Sequence, residues 1–294
     1  MSVDTVRWHS WKDKGWILFY SPAILVLALV VFYPLVYMFY MSLHSYSLYD
    51  PKPVFVGLKN YASALLSKSG FMHAFVVTTL YIIISLPFEI GIGFIIAILL
   101  FQNLKGFNVL RSLLVMPLMT MSVVTGLSWR YIFNSNFGLL KYLASLVGIE
   151  NMPVWFANPT TALIAIAIVN IWQNTPFSAL VLLAGLQAFP QSLVDAAAID
   201  GASYLSIIIH LMIPWLKNIF WLIIALRVLD GYKLYDYVYM LTGGGPGNST
   251  QSIAYYTYQW TFTNLQIGYG NALATLALVL SLLVGIFVIR EALK

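Results

Sequence analysis

Six stretches of this 294-residue chain are apolar for as long as a helix needs to cross a bilayer, about 20 residues, and no other feature limits its fold so tightly. They run approximately from Trp16 to Leu43, Phe75 to Phe101, Val109 to Phe133, Thr161 to Gln187, Ile207 to Leu229 and Ala272 to Ile289. Within lipid every backbone N–H and C=O must be satisfied inside the segment. Runs this long, without the alternation of barrel strands, therefore predict helices. The expected fold is an all-α membrane bundle. Pro22, Pro34, Pro87, Pro117, Pro176 and Pro214 lie inside or beside the spans, where neighbouring helices can absorb kinks.

Composition excludes several function classes. Hydrophobic residues make up 61% of the chain and charged residues 9%, a balance that makes lipid the solvent for most of the surface. The net charge of +5 comes from Lys and Arg scattered between apolar blocks rather than gathered in a stripe, which argues against nucleic acid as a partner. With no Cys there is neither a disulfide framework nor a thiolate nucleophile. The chain has no GxxxxGK[ST] phosphate loop and no HExxH pair, and it shows no internal repeat. An ion-coupled secondary transporter, the alternative reading, should show repeat symmetry and intramembrane carboxylates, of which Glu89 is the one clear midspan case.

The first span follows Arg7, Lys12 and Lys14, as a signal peptide would. It is too long for a signal h-region, and Ser42 to Tyr49 offers no clean cleavage site, so it reads as a retained helix. Six spans put both ends on one side. The positive set for cytoplasmic ends is Arg7, Lys12, Lys14, Lys105, Arg111, Lys217, Arg290 and Lys294, against Lys52, Lys59, Lys68, Arg130, Lys141, Arg227 and Lys233 outside. The charges before the first span favour cytoplasmic ends.

Between the fourth and fifth spans, Phe189 to Trp215 reads FPQSLVDAAAIDGASYLSIIIHLMIPW. Ser192 with Asp195 three residues on has the spacing of a capping box, predicting a short helix after Pro190, with Ala196, Ala197 and Ala198 as a thin face. Gly201 can end that helix in the left-handed conformation. Asp195, Ala196, Ala197, Asp200, Gly201 and Ala202, with Leu211, Ile213 and Pro214 as the tail, resemble the EAA loop of ABC importer permeases. Asp195 stands where that family usually has Glu, and Asn218 where a second Pro is common.

The resemblance implies a six-helix type I ABC importer permease. A segment spanning residues 1–74 would hold the first helix and an external loop, and residues 75–291 the transmembrane domain. The loop at 189–206 would form the coupling helices that dock on a cytoplasmic ATP-binding subunit. It further implies two such subunits, a second permease forming a heterodimer, an extracytoplasmic solute-binding protein, and a prokaryotic cytoplasmic membrane. No cofactor is expected on this chain, with ATP and magnesium held by the ATPase.

The run Leu241 to Thr250, LTGGGPGNST, cannot be helical and predicts an exposed loop rich in turns. Its Gly243, Gly244, Gly245, Pro246 and Gly247 resemble the loop by which MalF-like sugar permeases face their binding protein, which implies a carbohydrate or glycerol phosphate as solute. Polar side chains within lipid are costly and mark candidate pathways. Glu89, the cluster Asn170, Trp172, Gln173 and Asn174, and Arg227 with Asp230 are the candidates here, followed by Tyr232, Tyr235 and Tyr237.

Overall fold

The structure, a computed structural model, describes residues 15–67, 70–102, 106–149 and 151–292. Arg7, Lys12, Lys14, Lys68, Lys105 and Lys294, which orient the ends in the sequence, lie outside them. The first rod, α1, runs without interruption through Gly15–Leu27, Ala28–Phe32 and Tyr33–Ser42. A hairpin of β1 (His44–Ser47) and β2 (Asp50–Phe55) leads to α2 (Lys59–Leu66) and the long α3 (Phe71–Phe101). Next come α4 (Phe107–Met119), α5 (Ser122–Ile132), α6 (Leu139–Leu146) and α7 (Pro159–Gln187). A short α8 (Gln191–Ile199) precedes a rod from Tyr204 to Trp215, α9, and then α10 (Lys217–Gly231). A wide turn over Val238–Thr242, α11 (Ile253–Tyr258, continued through Gln259–Thr263) and α12 (Ile267–Ala292) complete the chain.

Four of these helices are long and apolar enough to span a membrane, and six spans result if each of two bent pairs counts as one. The third and fifth spans, expected as single helices, are those pairs: α4 and α5 meet at 95°, α9 and α10 at 63°. Extended Thr120 and Met121 separate α4 from α5. Both the amide and the hydroxyl of Thr120 bond back to the Pro117 carbonyl, closing the first helix. The second elbow turns at Leu216, fully buried and two residues after Pro214. Of four five-residue π turns among the described residues, two, Ala28–Phe32 and Ile208–Met212, are each followed two residues later by a proline. A proline ring crowds the carbonyl four residues before it, and a widened turn relieves that contact.

The hairpin after α1, in the region expected to hold an external loop, is the sole departure from an all-α chain among the described residues. Strand β1 pairs antiparallel with β2, His44 facing Phe55, with a bulge between Ser45 and Ser47. Asn60 pins the hairpin to the end of α1 by donating to the carbonyls of Ser42 (2.8 Å) and His44 (3.0 Å).

Helices α3 and α7 form the most extensive packed pair. They run parallel, for Ala74 and Ala165 share one hydrophobic cluster while Leu100 and Leu186 share another. The first cluster gathers around the beginnings of both helices together with Leu241, Ile253 and Tyr255; the second gathers around their ends with Met212, Leu216 and the inner side of α8. Small residues permit the approach. A Cβ built on Gly93 would sit 2.9 Å from Ser178 Cβ and 3.0 Å from the Ala179 amide nitrogen, whereas one on Gly91, a turn-half away, would meet nothing within 4 Å. Gly93→Leu is therefore expected to cost about 1–3 kcal/mol by overpacking. Thermal unfolding in detergent checks this, with Gly91→Leu expected to behave as wild type.

Candidate functional site

A cavity of about 400 Å³ lies between the two hydrophobic clusters. Asn170, Gln173 and Asn174 of α7, Arg227 and Asp230 of α10, Tyr81 of α3, and Thr120 and Ser122 of the α4–α5 break all line it. Tyr235, Asp236 and Tyr237 close it from the segment after α10. On α7 the three amides occupy positions i, i+3 and i+4 and so share one face. The broken third span matters here, because its free Thr120 carbonyl accepts from Gln173 Nε2 at 2.7 Å while Gln173 Oε1 takes the Tyr237 hydroxyl at 2.7 Å.

A charge cluster runs from the cavity lining to the buried Glu89 behind it. Glu89 of α3 is 1% exposed and its Oε1 is 2.8 Å from Arg227 Nε, close enough for an ion pair although that N–H is not aimed at the oxygen as a hydrogen bond. Ser178 donates to the same carboxylate at 3.0 Å, and Asn170 Nδ2 approaches it at 3.5 Å. The other arms of the guanidinium reach Asp230 Oδ2 at 2.8 Å and Asn170 Oδ1 at 3.4 Å. Asp230, about half exposed, meets Lys233 at 3.9 Å. Five of the expected pathway residues thus contact one another directly: Glu89, Asn170, Asn174, Arg227 and Asp230.

Trp172 is placed apart. It falls off the amide face of α7, is 42% exposed, and meets Trp129 edge-on at 5.7 Å, beside a separate apolar groove lined by Ile92, Leu113 and Pro176. Conversely, Tyr81 and Ser85 were not anticipated. With Glu89 and Gly93 they form a buried stripe at four-residue steps along α3, a pattern that could have been read from the sequence.

The loop after α7 forms the expected short helix with a different start. Pro190 occupies the N-cap and no side chain caps the helix; Ser192 is already its second residue, and the Asp195 carboxylate accepts from Gln191 at 3.3 Å. The Leu193 amide bonds the Pro190 carbonyl at 3.1 Å, and this turn is exposed, so water can satisfy the amides that a hydroxyl cap would take. The far end behaves as expected. Gly201 has φ +80°, its amide bonds the Ala198 carbonyl and that of Ala202 bonds Ala197, the two closures of a Schellman motif. Successive residues turn by about 100° on a helix, so the three alanines do not share a face. Val194, Ala197 and Ala202 pack on the bundle, while Asp195, Ala196, Asp200 and Gly201 are exposed. Ile199, 87% exposed, and Leu205, 65% exposed, add an apolar surface beside them. Pro214, also exposed, lies at the elbow into α10, where Trp215 Nε1 reaches the Gly185 carbonyl of α7 at 3.3 Å.

At the opposite end, the glycine-rich run is anchored rather than wholly exposed. Gly243, Gly244 and Gly247 take positive φ, and Gly244 is buried against the Tyr255 ring. Thr250 binds the loop shut through Thr242 (2.8 Å) and the Gly245 carbonyl (2.7 Å). Gly247 stays exposed, Pro246 and Gly245 partly so, and the Asn248 carbonyl contacts His73 at the start of α3 at 3.0 Å.

Residues 62–292 match the family of binding-protein-dependent transport system inner membrane components. The chain belongs to that family. It is a multi-pass inner-membrane permease, and its relatives agree in length. It is 34% identical over 263 residues to the trehalose/maltose transport system permease protein MalF of Thermococcus litoralis, covering 89% of this chain and 88% of that one. With the sulfoquinovosyl glycerol transport system permease protein SmoG of Agrobacterium fabrum it shares 32% over 283 residues, covering 95% and 91%. The fold matches that of a bacterial ABC transporter involved in alginate import, with TM-score 0.83 and 17% identity over 96% of this chain and 97% of that one. The type I ABC importer permease fold expected from the EAA-like loop is thereby established.

Proposed function

We propose that this permease imports a sugar, an oligosaccharide or a related polyol or glycerol phosphate, paired with a second, different permease. Two cytoplasmic ATP-binding subunits drive it, holding the ATP and magnesium, and an extracytoplasmic binding protein delivers the solute. Helix α8 docks on an ATP-binding subunit through Asp195, Ala196, Ala197, Asp200, Gly201 and Ala202, with Pro214 at the elbow behind. The loop Gly243, Gly244, Gly245, Pro246 and Gly247 faces the binding protein, and both chain ends are cytoplasmic. The solute passes through the cavity of Asn170, Gln173, Asn174, Arg227 and Asp230.

The observation that carries the reading is the placement of α8: a rigid, capped helix with an exposed carboxylate and exposed Ile199, at the end of the bundle opposite the glycine-rich loop, with the polar cavity between them. Its inner side is continuous with the cluster holding Leu216, so force applied to α8 reaches the elbow that positions Arg227. The carbohydrate class is supported by the trehalose/maltose and trehalose permeases among the relatives. Proteoliposomes carrying the copurified assembly should accumulate labelled trehalose or maltose only with binding protein outside and ATP inside. Accumulation driven by an ion gradient without ATP would reject the proposal.

A further inference from the structure

The relatives divide by solute charge, since trehalose and maltose are neutral while sulfoquinovosyl glycerol and alginate are acidic. The cavity contains what is needed to choose. Its two lining cations are Arg227 and Lys233, and around them stand three carboxylates, Asp230 and Asp236 in the lining and Glu89 behind it. An anion-binding arginine presents a free planar fork that can grip a sulfonate, carboxylate or phosphate in bidentate fashion. The fork of Arg227 is already faced by two carboxylates, Glu89 and Asp230. Its Nε faces Glu89 at 2.8 Å, one terminal nitrogen donates to Asp230 at 2.8 Å and the other to Asn170 at 3.4 Å. Lys233 lies at the exposed rim beside the same Asp230. An arriving anion would meet three carboxylates against two cations, a net negative charge that opposes its entry.

Resting on the reading of this cavity as the solute route, we propose that it selects neutral polyhydroxylated solutes and turns away anionic ones, Glu89 being the residue that sets the preference. Glu89 does this without touching solute, by offsetting the guanidinium charge from behind, 2.8 Å from Nε. The amides of Asn170 and Asn174 and the phenols of Tyr81 and Tyr235 line the space and suit hydroxyl groups, which both donate and accept. Glycerol phosphates then fall outside the permitted class.

Calorimetric titration of the detergent-purified permease–ATPase assembly tests this with two matched pairs, glucosyl glycerol against sulfoquinovosyl glycerol and trehalose against trehalose 6-phosphate. Wild type should bind at least one neutral member about ten-fold tighter than its anionic counterpart. Glu89→Gln, which keeps the shape and removes the charge, should erase or invert that ratio, and Glu89→Asp should restore it. Asp230→Asn, at the exposed rim, should shift the ratio the same way and serves if Glu89→Gln folds poorly. Tighter anion binding by wild type, an unchanged ratio in both neutralised variants, or no binding of any member overturns the proposal. Failure of the importer reading shows separately in the same preparation, as the absence of a retained ATPase whose hydrolysis the binding protein stimulates.

Discussion

Reversing the charge at position 195 is expected to strip uptake from the assembled transporter while leaving the chain folded and inserted. Asp195 is exposed and its one side-chain bond goes to Gln191 on the same helix, so Asp195→Lys removes nothing on which the bundle depends. Surface changes of this kind alter stability by about 0.5 kcal/mol or less. At a docked interface the cost is different: breaking a desolvated charge pair and opposing like charges costs about 2–5 kcal/mol, a loss of more than ten-fold in binding. Uptake in proteoliposomes should fall at least about ten-fold, with the ATPase subunit lost in mild detergent or hydrolysing ATP without transport. Asp195→Glu, which restores the residue usual in the family, should retain activity. Wild-type uptake by Asp195→Lys would remove α8 from the coupling path.

How far these sites could be read from the sequence depends on the range of the interaction. The spans follow from hydropathy because the energy of burying apolar surface in lipid adds up residue by residue. Their breaks do not. Hydropathy does not register the backbone angle at Thr120 or Leu216, and proline does not supply it, since Pro87 and Pro176 lie inside unbroken helices while Pro117 and Pro214 stand beside the bends. The end of α8 was legible because only Gly201 tolerates φ +80° there without strain. Its start was misread because Ser192 fits a cap by spacing, and Pro190 takes the position instead. The amide face of α7 is local and periodic, and Trp172 falls outside its period. The Glu89–Arg227 contact is neither local nor periodic. It joins α3 to α10 across 138 positions, and no pattern within either helix announces it.

That contact yields the largest expected effect on stability. Removing the cation alone, in Arg227→Met, leaves Glu89 at 1% exposure with only Ser178 and Asn170 for company, and an orphaned buried charge of this kind costs about 3–5 kcal/mol. Removing the anion alone, in Glu89→Met, should cost less, because Arg227 is itself more accessible and retains Asp230. The double variant should be more stable than Arg227→Met, since a buried ion pair replaced by apolar side chains of similar volume is often close to neutral. Thermal unfolding of the four proteins in one detergent measures the coupling, and additive losses would mean that the two groups do not act as a pair. Uptake should follow a different order. The double variant recovers the packing between α3 and α10 but not the polar wall of the cavity, so it should remain as deficient in transport as Arg227→Met. A fold restored without its function would separate what the pair does for the bundle from what its guanidinium does for the solute.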